Sequence, residues 1–414
     1  MNIVVINAYV RENAGDAALL SVCLRQVREA FPDADVVIAG MEDAAVHPSF
    51  EGARNIGSIR RHVADGTVSL PRRLLRKALV GLAGAAAVTL PRPLARGVLR
   101  VLPAEARREA DAVTRADLVV SMGGGYVLAR PGLDGYQNVF FVLLPAMLAQ
   151  KAGVPVVWAP QSFGPFPAAA QRRLVGRVMR RSAAVLPRED VSVGELLACG
   201  IPAEHIERAV DAGFAFDPER RIDWRARLGV GADERLVGIT ARRWLPRPAQ
   251  ECYERELART IDAVQATGAR AVLIPQVSTD YLGDDDRICE RRIAGHCTSG
   301  PLMVDEVVDY RDLKGLYDEC TLLIGTRFHS VIFSLTSDVP CVAIEYEHKT
   351  RGIMADLGLG EWVIPIADVT HDRLWTLVEP LLKDPTPYRT ILDRNLPGYL
   401  ARARSLPARL REAV

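Results

Sequence analysis

Residues 321–349 read TLLIGTRFHSVIFSLTSDVPCVAIEYEHK. The wholly apolar run 322–324 predicts a strand buried on both faces, and Gly325 a tight exit from it. Arg327, His329 and Ser330 then open an apolar helix. A second buried strand, 341–344, follows and ends in Glu345, Tyr346 and Lys349. Two doubly buried strands joined by a helix make a βαβ unit, which requires a parallel sheet with both faces covered. In such a sheet, ligands sit beyond the carboxyl ends of the strands. The helix that starts there offers free N–H groups and the positive end of its dipole, a setting for an anion. An arginine and a histidine at that end, with a lysine after the next strand, predict a pocket for a small, highly charged acid.

The remaining chain repeats this alternation. A strand is expected over 2–7, a loop carrying N-A-G-D over 9–16, and an amphipathic helix over 17–31 from the spacing of Leu20, Cys23, Leu24, Val27 and Phe31. No G-x-G-x-x-G follows the first strand, which removes the dinucleotide fingerprint. Asn13, Gly15 and Asp16 serve either as a helix cap or as a close approach for a ligand. The strand 117–122 runs into Gly123, Gly124, Gly125 and Tyr126. These make a flat backbone surface for a sugar or phosphate, or a tight turn under a packed helix; one glycine suffices for a turn, so three favour a site. Strand 154–159 and loop 161–167 come next, and a polar stretch around 211–234 reads as a linker. The pattern then restarts with strand 235–240, helix 250–267 and strand 270–275, and ends in a helix over 387–411. The class is α/β, with two parallel-sheet, Rossmann-like domains facing a cleft. The expected boundaries are 1–215, 216–385 and a C-terminal helical segment, 386–414. No internal repeat points to a solenoid.

Two domains are also the default for 414 residues. A net charge of +1 gives no argument for a nucleic-acid partner. Seven scattered cysteines without a C-x-x-C argue against a disulfide framework or a zinc site and for a reducing, cytoplasmic setting. The N-terminal MNIVVINAYV starts as a strand, so no signal peptide is expected. Residues 51–110 depart from the average, with twelve Arg/Lys against four Asp/Glu. They also hold a thirteen-residue apolar run, 78–90, short of the roughly 20 residues that span a bilayer. This insertion is either a basic amphipathic surface for anionic lipid or a lipid-linked substrate, or an ordinary helical insertion with solvated arginines; periodicity does not separate the two.

Arg242 and Arg243 follow strand 235–240 and would point into the same crevice as Arg327 and His329. Each has a plainer alternative: a surface ion pair for Arg242, solvent for Lys349, a helix-cap role for His329. Glu345, closing an apolar strand, must be paired or solvated, so it is a ligand contact or an orienting partner. The spacing holds no metal-ligand cluster and no Ser-His-Asp order. On residues alone the chain is an anion-binding two-domain enzyme of unspecified chemistry.

Taken together, N-A-G-D at 13–16, G-G-G-Y at 123–126, I-T-A-R-R-W at 239–244, G-T-R-F-H-S at 325–330, P-C-V-A-I-E-Y-E-H-K at 340–349 and L-G-L at 357–359 resemble the polysaccharide pyruvyl transferase family. The resemblance implies a GT-B-like fold, phosphoenolpyruvate as co-substrate, and a pyruvate ketal on a saccharide acceptor, free or lipid-linked. It implies no further cofactor and no metal. Arg242, Arg327 and His329 would hold the donor's phosphate and carboxylate, with His329 as acid–base. Gly325, Ser330, Glu345 and Lys349 would complete the donor site. Asn13, Gly15, Asp16 and Gly123–Tyr126 would face the acceptor. The alternative within the same fold is a glycosyltransferase using a nucleotide sugar.

Overall fold

The computed structural model describes residues 1–9, 12–64, 68–278 and 284–414. They form two compact units. The first comprises Met1–Val10, Leu19–Ala212 and Arg402–Val414, and the second Arg11–Ala18 and Gly213–Ala401.

The first unit is built on β1 (Asn2–Ala8), β2 (Asp35–Gly40), β3 (Ser49–Phe50), β4 (Ala53–Asn55), β5 (Leu118–Ser121), β6 (Gly124–Val127), β7 (Val156–Phe163) and β8 (Ala184–Pro187). Their order is β3-β4-β2-β1-β5-β7-β6, with β8 also on β7. Every pair is parallel except β3 with β4. Strands with both faces covered are apolar throughout, as in β5, whose four residues are all buried. The order reverses between β1 and β5, and the G-G-G-Y motif leaves β5 at that point.

The second unit carries β9 (Leu236–Thr240), β10 (Arg270–Leu273), β11 (Leu302–Met303), β12 (Leu322–Gly325), β13 (Cys341–Glu345) and β14 (Val363–Pro365). They form an all-parallel sheet in the order β11-β10-β9-β12-β13-β14. From β9 the chain moves outward one way, then returns to β12 and moves outward the other way. This is the doubly wound order, and its switch point lies between β9 and β12.

Several elements differ from the sequence expectation. Residues 161–163, expected in a loop, continue β7, because that strand has partners on both edges. The helix expected over 387–411 is two helices, Thr386–Ala403 and Leu406–Glu412, with Pro407 in the first turn of the second, where its fixed φ suits a new start. The 51–110 segment is not purely helical, since it supplies β4 to the sheet. Its helices Ile59–Ala64, Leu70–Thr89 and Arg92–Leu99 bury Ile59, Val80, Ala83, Ala87 and Leu99 in the core of the first unit.

Glu109, on helix Ala104–Arg115, is almost wholly buried and accepts a hydrogen bond from the Ile59 N–H at 2.6 Å, fixing the start of helix Ile59–Ala64. Burial pushes its carboxyl up to about 8. A carboxyl raised in the fold stabilises fully below its unfolded value, near 4.3, and that contribution is lost as pH rises through the folded value. We expect the unfolding free energy of the native protein, from urea titrations, to fall between about pH 5 and pH 8 by roughly 1.4 kcal/mol per pH unit relative to Glu109→Gln. Parallel pH profiles for the two proteins would refute this.

Candidate functional site

At the switch point of the second unit, Gly325 of β12 lies opposite Thr240 of β9. The Thr240 hydroxyl accepts from the N–H groups of Thr326 (2.9 Å) and Arg327 (3.3 Å). It also lies 2.8 Å from the Ser330 hydroxyl, which donates to the Arg327 carbonyl at 2.6 Å. Ser330 therefore ties β9 to the first turn of helix Phe328–Leu335 from the buried side. Gly325 is crowded by Leu323, Val331 and Cys341, so its part here is close packing at the strand exit.

Arg327, the N-cap of that helix, is 7% exposed. Its Nε donates to both oxygens of Asp286 at 3.0 Å, and Nη2 reaches Asp286 as well. The same guanidinium meets Asp284 at 3.0 and 3.3 Å. Burial alone would lower the arginine's pKa; the two carboxylates outweigh it and raise it. Burial raises the Asp286 carboxyl, while Arg327 and the N–H groups of Gln276 and Val277, each 3.0 Å away, act against that rise. Glu290, one turn along helix Asp286–His296, is fully buried, and burial plus the Asp286 charge push it well above the carboxylate range. Arg327 thus meets two carboxylates, with a third acid, Glu290, buried one turn away.

Arg242, just past β9, stacks its guanidinium carbon 4.8 Å from the Trp244 ring centroid and 4.3 Å from that of Tyr346. It also touches Asp284 at 3.4 Å. One half-exposed carboxylate, Asp284, therefore bridges the guanidinium groups that leave two adjacent strands. Lys349 pairs with Glu347 at 2.8 Å and lies over the Phe328 and Tyr346 rings. Against the rise that burial imposes, Lys349 and Arg242 hold the Glu347 carboxyl below the usual range. Glu345 is engaged by Arg351 at 2.8 Å, which makes it an anchor for helix His348–Asp356.

The N-A-G-D segment belongs to this same unit. Asn13 forms an antiparallel bridge with Val277, and Ala14 N–H donates to the Gln276 carbonyl at 2.9 Å. The Asn13 side chain accepts from Gly15 N–H (3.1 Å) and Asp16 N–H (3.3 Å) and donates to the Asp16 carboxylate (2.9 Å), capping helix Ala14–Ala30. The cap places Gly15 against His329: a Cβ there would lie 2.0 Å from His329 Nδ1. The segment read as acceptor-side thus sits beside Arg327 and His329. Gly15→Ala would favour a helix by about 1 kcal/mol through propensity, yet it must push the imidazole aside. We expect that variant to fold and to lose turnover; unchanged turnover would show that His329 need not hold its position.

In the first unit, Gly123 approaches the Pro160 carbonyl so closely that a Cβ would lie 2.5 Å from its oxygen, and Gly124 has φ +150°. Gly125 is exposed. Tyr126 is buried, its hydroxyl 3.0 Å from Ser121 Oγ and donating to the Met122 carbonyl. Its ring stacks on Tyr9, and Arg60 lies over both rings while donating to the Tyr9 hydroxyl at 2.9 Å. Gln161 pairs in register with Gly124, and its buried amide has no hydrogen-bond partner among the described residues. The predicted residues therefore fall into two groups. Asn13, Gly15, Asp16, Arg242, Arg327, His329 and Lys349 gather in the second unit, and Gly123–Tyr126 lie in the first.

The sequence reading missed Asp284, Asp286, Glu290, Tyr346 as an aromatic partner of Arg242, Tyr9 and Arg60. The run Asp284-Asp285-Asp286 signals a helix start, but nothing local names its arginine partner.

The sequence profile described as polysaccharide pyruvyl transferase matches residues 13–348. The amylovoran biosynthesis protein AmsJ of Erwinia amylovora is 27% identical over 288 residues, covering 66% of this chain and 67% of the relative. Among solved structures, the UDP-GlcNAc 2-epimerase of Neisseria meningitidis bound to UDP-GlcNAc superposes with a TM-score of 0.61 at 12% identity, covering 99% of each chain. Anabaena Alr3699/HepE in complex with UDP-glucose gives 0.57 at 15% identity, covering 100% of each. At such identities these neighbours establish the fold alone, a GT-B-like α/β arrangement with two parallel-sheet units. The profile match spans most of the chain, and this protein is a member of the polysaccharide pyruvyl transferase family.

Proposed function

We propose that the chain moves the pyruvyl group of phosphoenolpyruvate onto two hydroxyls of a saccharide acceptor, forming a cyclic ketal and releasing phosphate. The observation that carries this reading is the carboxylate of Asp284 shared between Arg242 and Arg327. A carboxylate that meets two guanidinium groups supports the binding of another small acid there, since arginines suit both carboxylate and phosphate. His329 opens the helix that follows Arg327 and is backed by Gly15.

In this scheme His329 protonates the methylene carbon of the donor, making C2 electrophilic. One sugar hydroxyl attacks C2 and loses its proton. Phosphate departs with its bonding pair, a second hydroxyl adds, and its proton completes the balance. One released proton restores His329 and the other leaves with phosphate. Exclusion of water from the site would protect the cationic intermediate.

The donor is tested by thermal unfolding with phosphoenolpyruvate or with UDP-GlcNAc. Ligand at about a hundred times its Kd stabilises by roughly 2.7 kcal/mol. We expect a rise in Tm with phosphoenolpyruvate and none with the nucleotide sugar; the reverse would favour glycosyl transfer.

A further inference from the structure

We propose that helix Leu70–Thr89 and the helix after it form a surface that docks onto a bilayer of anionic phospholipid. This does not depend on the pyruvyl-transfer reading. The helix buries Val80, Ala83, Gly84 and Ala87 against the first unit. Its opposite side, where an ordinary surface helix carries charge, instead exposes Leu74, Leu75, Ala78, Leu82 and Ala85. Leu75 is 70% exposed and Leu82 74%. The cations Arg72, Arg73, Arg76 and Lys77 crowd the N-terminal half of the same helix, along its buried stripe, from where long side chains reach out to a headgroup layer.

A second observation comes from the adjoining helix, Arg92–Leu99. A cavity of about 520 Å³ is lined there by Arg92, Arg96, Arg100, Arg107, Arg115 and Lys151, with Asp111 as its one acid. It has room for a phosphate headgroup and the charge to hold one. In sequence, residues 66–104 hold seven Arg/Lys and no Asp or Glu. That asymmetry selects the occupant. A second copy of the chain would set one basic rim against another, since a two-fold contact pairs the same patch with itself. An anionic membrane complements both the leucine face and the charge. Among the described residues no helix is long and apolar enough to cross a membrane, so the surface lies on the bilayer.

The test is co-sedimentation of the full-length protein with vesicles of equal parts phosphatidylglycerol and phosphatidylcholine, and with phosphatidylcholine alone. The native protein should pellet with the anionic vesicles, remain largely in solution with the neutral ones, and be released as salt rises from about 0.1 M to about 0.5 M. The double variant Leu75→Glu/Leu82→Glu, altered only at exposed positions, should bind at least roughly tenfold more weakly. Arg96→Glu/Arg100→Glu should bind more weakly and lose most of the salt dependence. Circular dichroism should be unchanged in both. The proposal is overturned if the native protein ignores anionic vesicles, binds neutral ones equally, or is unaffected by the leucine changes. It is overturned too if the vesicles are ignored while a native dimer falls to a monomer in Leu75→Glu/Leu82→Glu, which would make a second copy the occupant.

Discussion

Replacing His329 with alanine is expected to lower pyruvyl transfer by roughly 10²–10⁴-fold, the usual worth of a general acid, with little change in stability. The ring is half-buried on the first turn of helix Phe328–Leu335 and packs against the bare Cα of Gly15, and alanine is a good helix former at that position. The loss should fall mainly on kcat, with a smaller rise in donor KM, because Arg242 and Arg327 would still hold the acid when His329 is gone. Phosphate release from phosphoenolpyruvate in the presence of acceptor measures it. Full ketal formation by the alanine variant would remove His329 from the mechanism, even with the donor correct.

Arg327→Met should be damaging for a different reason. The side chain is buried, and its removal leaves Asp286 in the interior with, among the described residues, the backbone N–H groups of Gln276 and Val277 as its remaining donors. Breaking such a pair typically costs about 3–5 kcal/mol, a large share of a domain's stability. Arg327→Lys keeps the charge but cannot serve Asp286 and Asp284 together, since that takes the planar fork of a guanidinium. We expect it to fold less stably and to bind phosphoenolpyruvate poorly. The double change Arg327→Met/Asp286→Leu should recover much of the lost stability and none of the activity, which separates the structural contribution from donor binding. Urea midpoints and calorimetric donor affinities give the two readouts. Near-normal affinity in Arg327→Lys would refute a role for the fork in holding the donor.

Much of the second unit was legible because its strands are covered on both faces. The runs at 236–239, 322–325 and 341–344 are apolar without interruption, and little but a central parallel strand accommodates that. Strand order was not legible: nothing local to β9 says that β12, rather than its successor in sequence, lies on its other side. The cations were legible as strand-end residues, but their partners were not. Asp286 is 41 positions from Arg327 and meets it only because β10 and β12 flank β9 in the finished sheet. The N-A-G-D motif was readable as a cap; its place beside His329 depends on a bridge to Val277 that no spacing reveals. Residues 51–110 left two readings open because composition does not say which side of a helix faces inward. Val80, Ala83 and Ala87 settle that by being buried while the leucines are not.

The grouping of Arg11–Ala18 with Gly213–Ala401, and of Arg402–Val414 with the opening strand, bears on how such proteins can be recombined. A hybrid of two relatives joined by one crossover near residue 212 would inherit Asn13 from one parent and Val277 from the other, and the final helix from a parent that did not supply the sheet it belongs to. An internal cassette within 19–212 instead exchanges most of the first unit while keeping Asn13, Val277 and the final helix from a single parent.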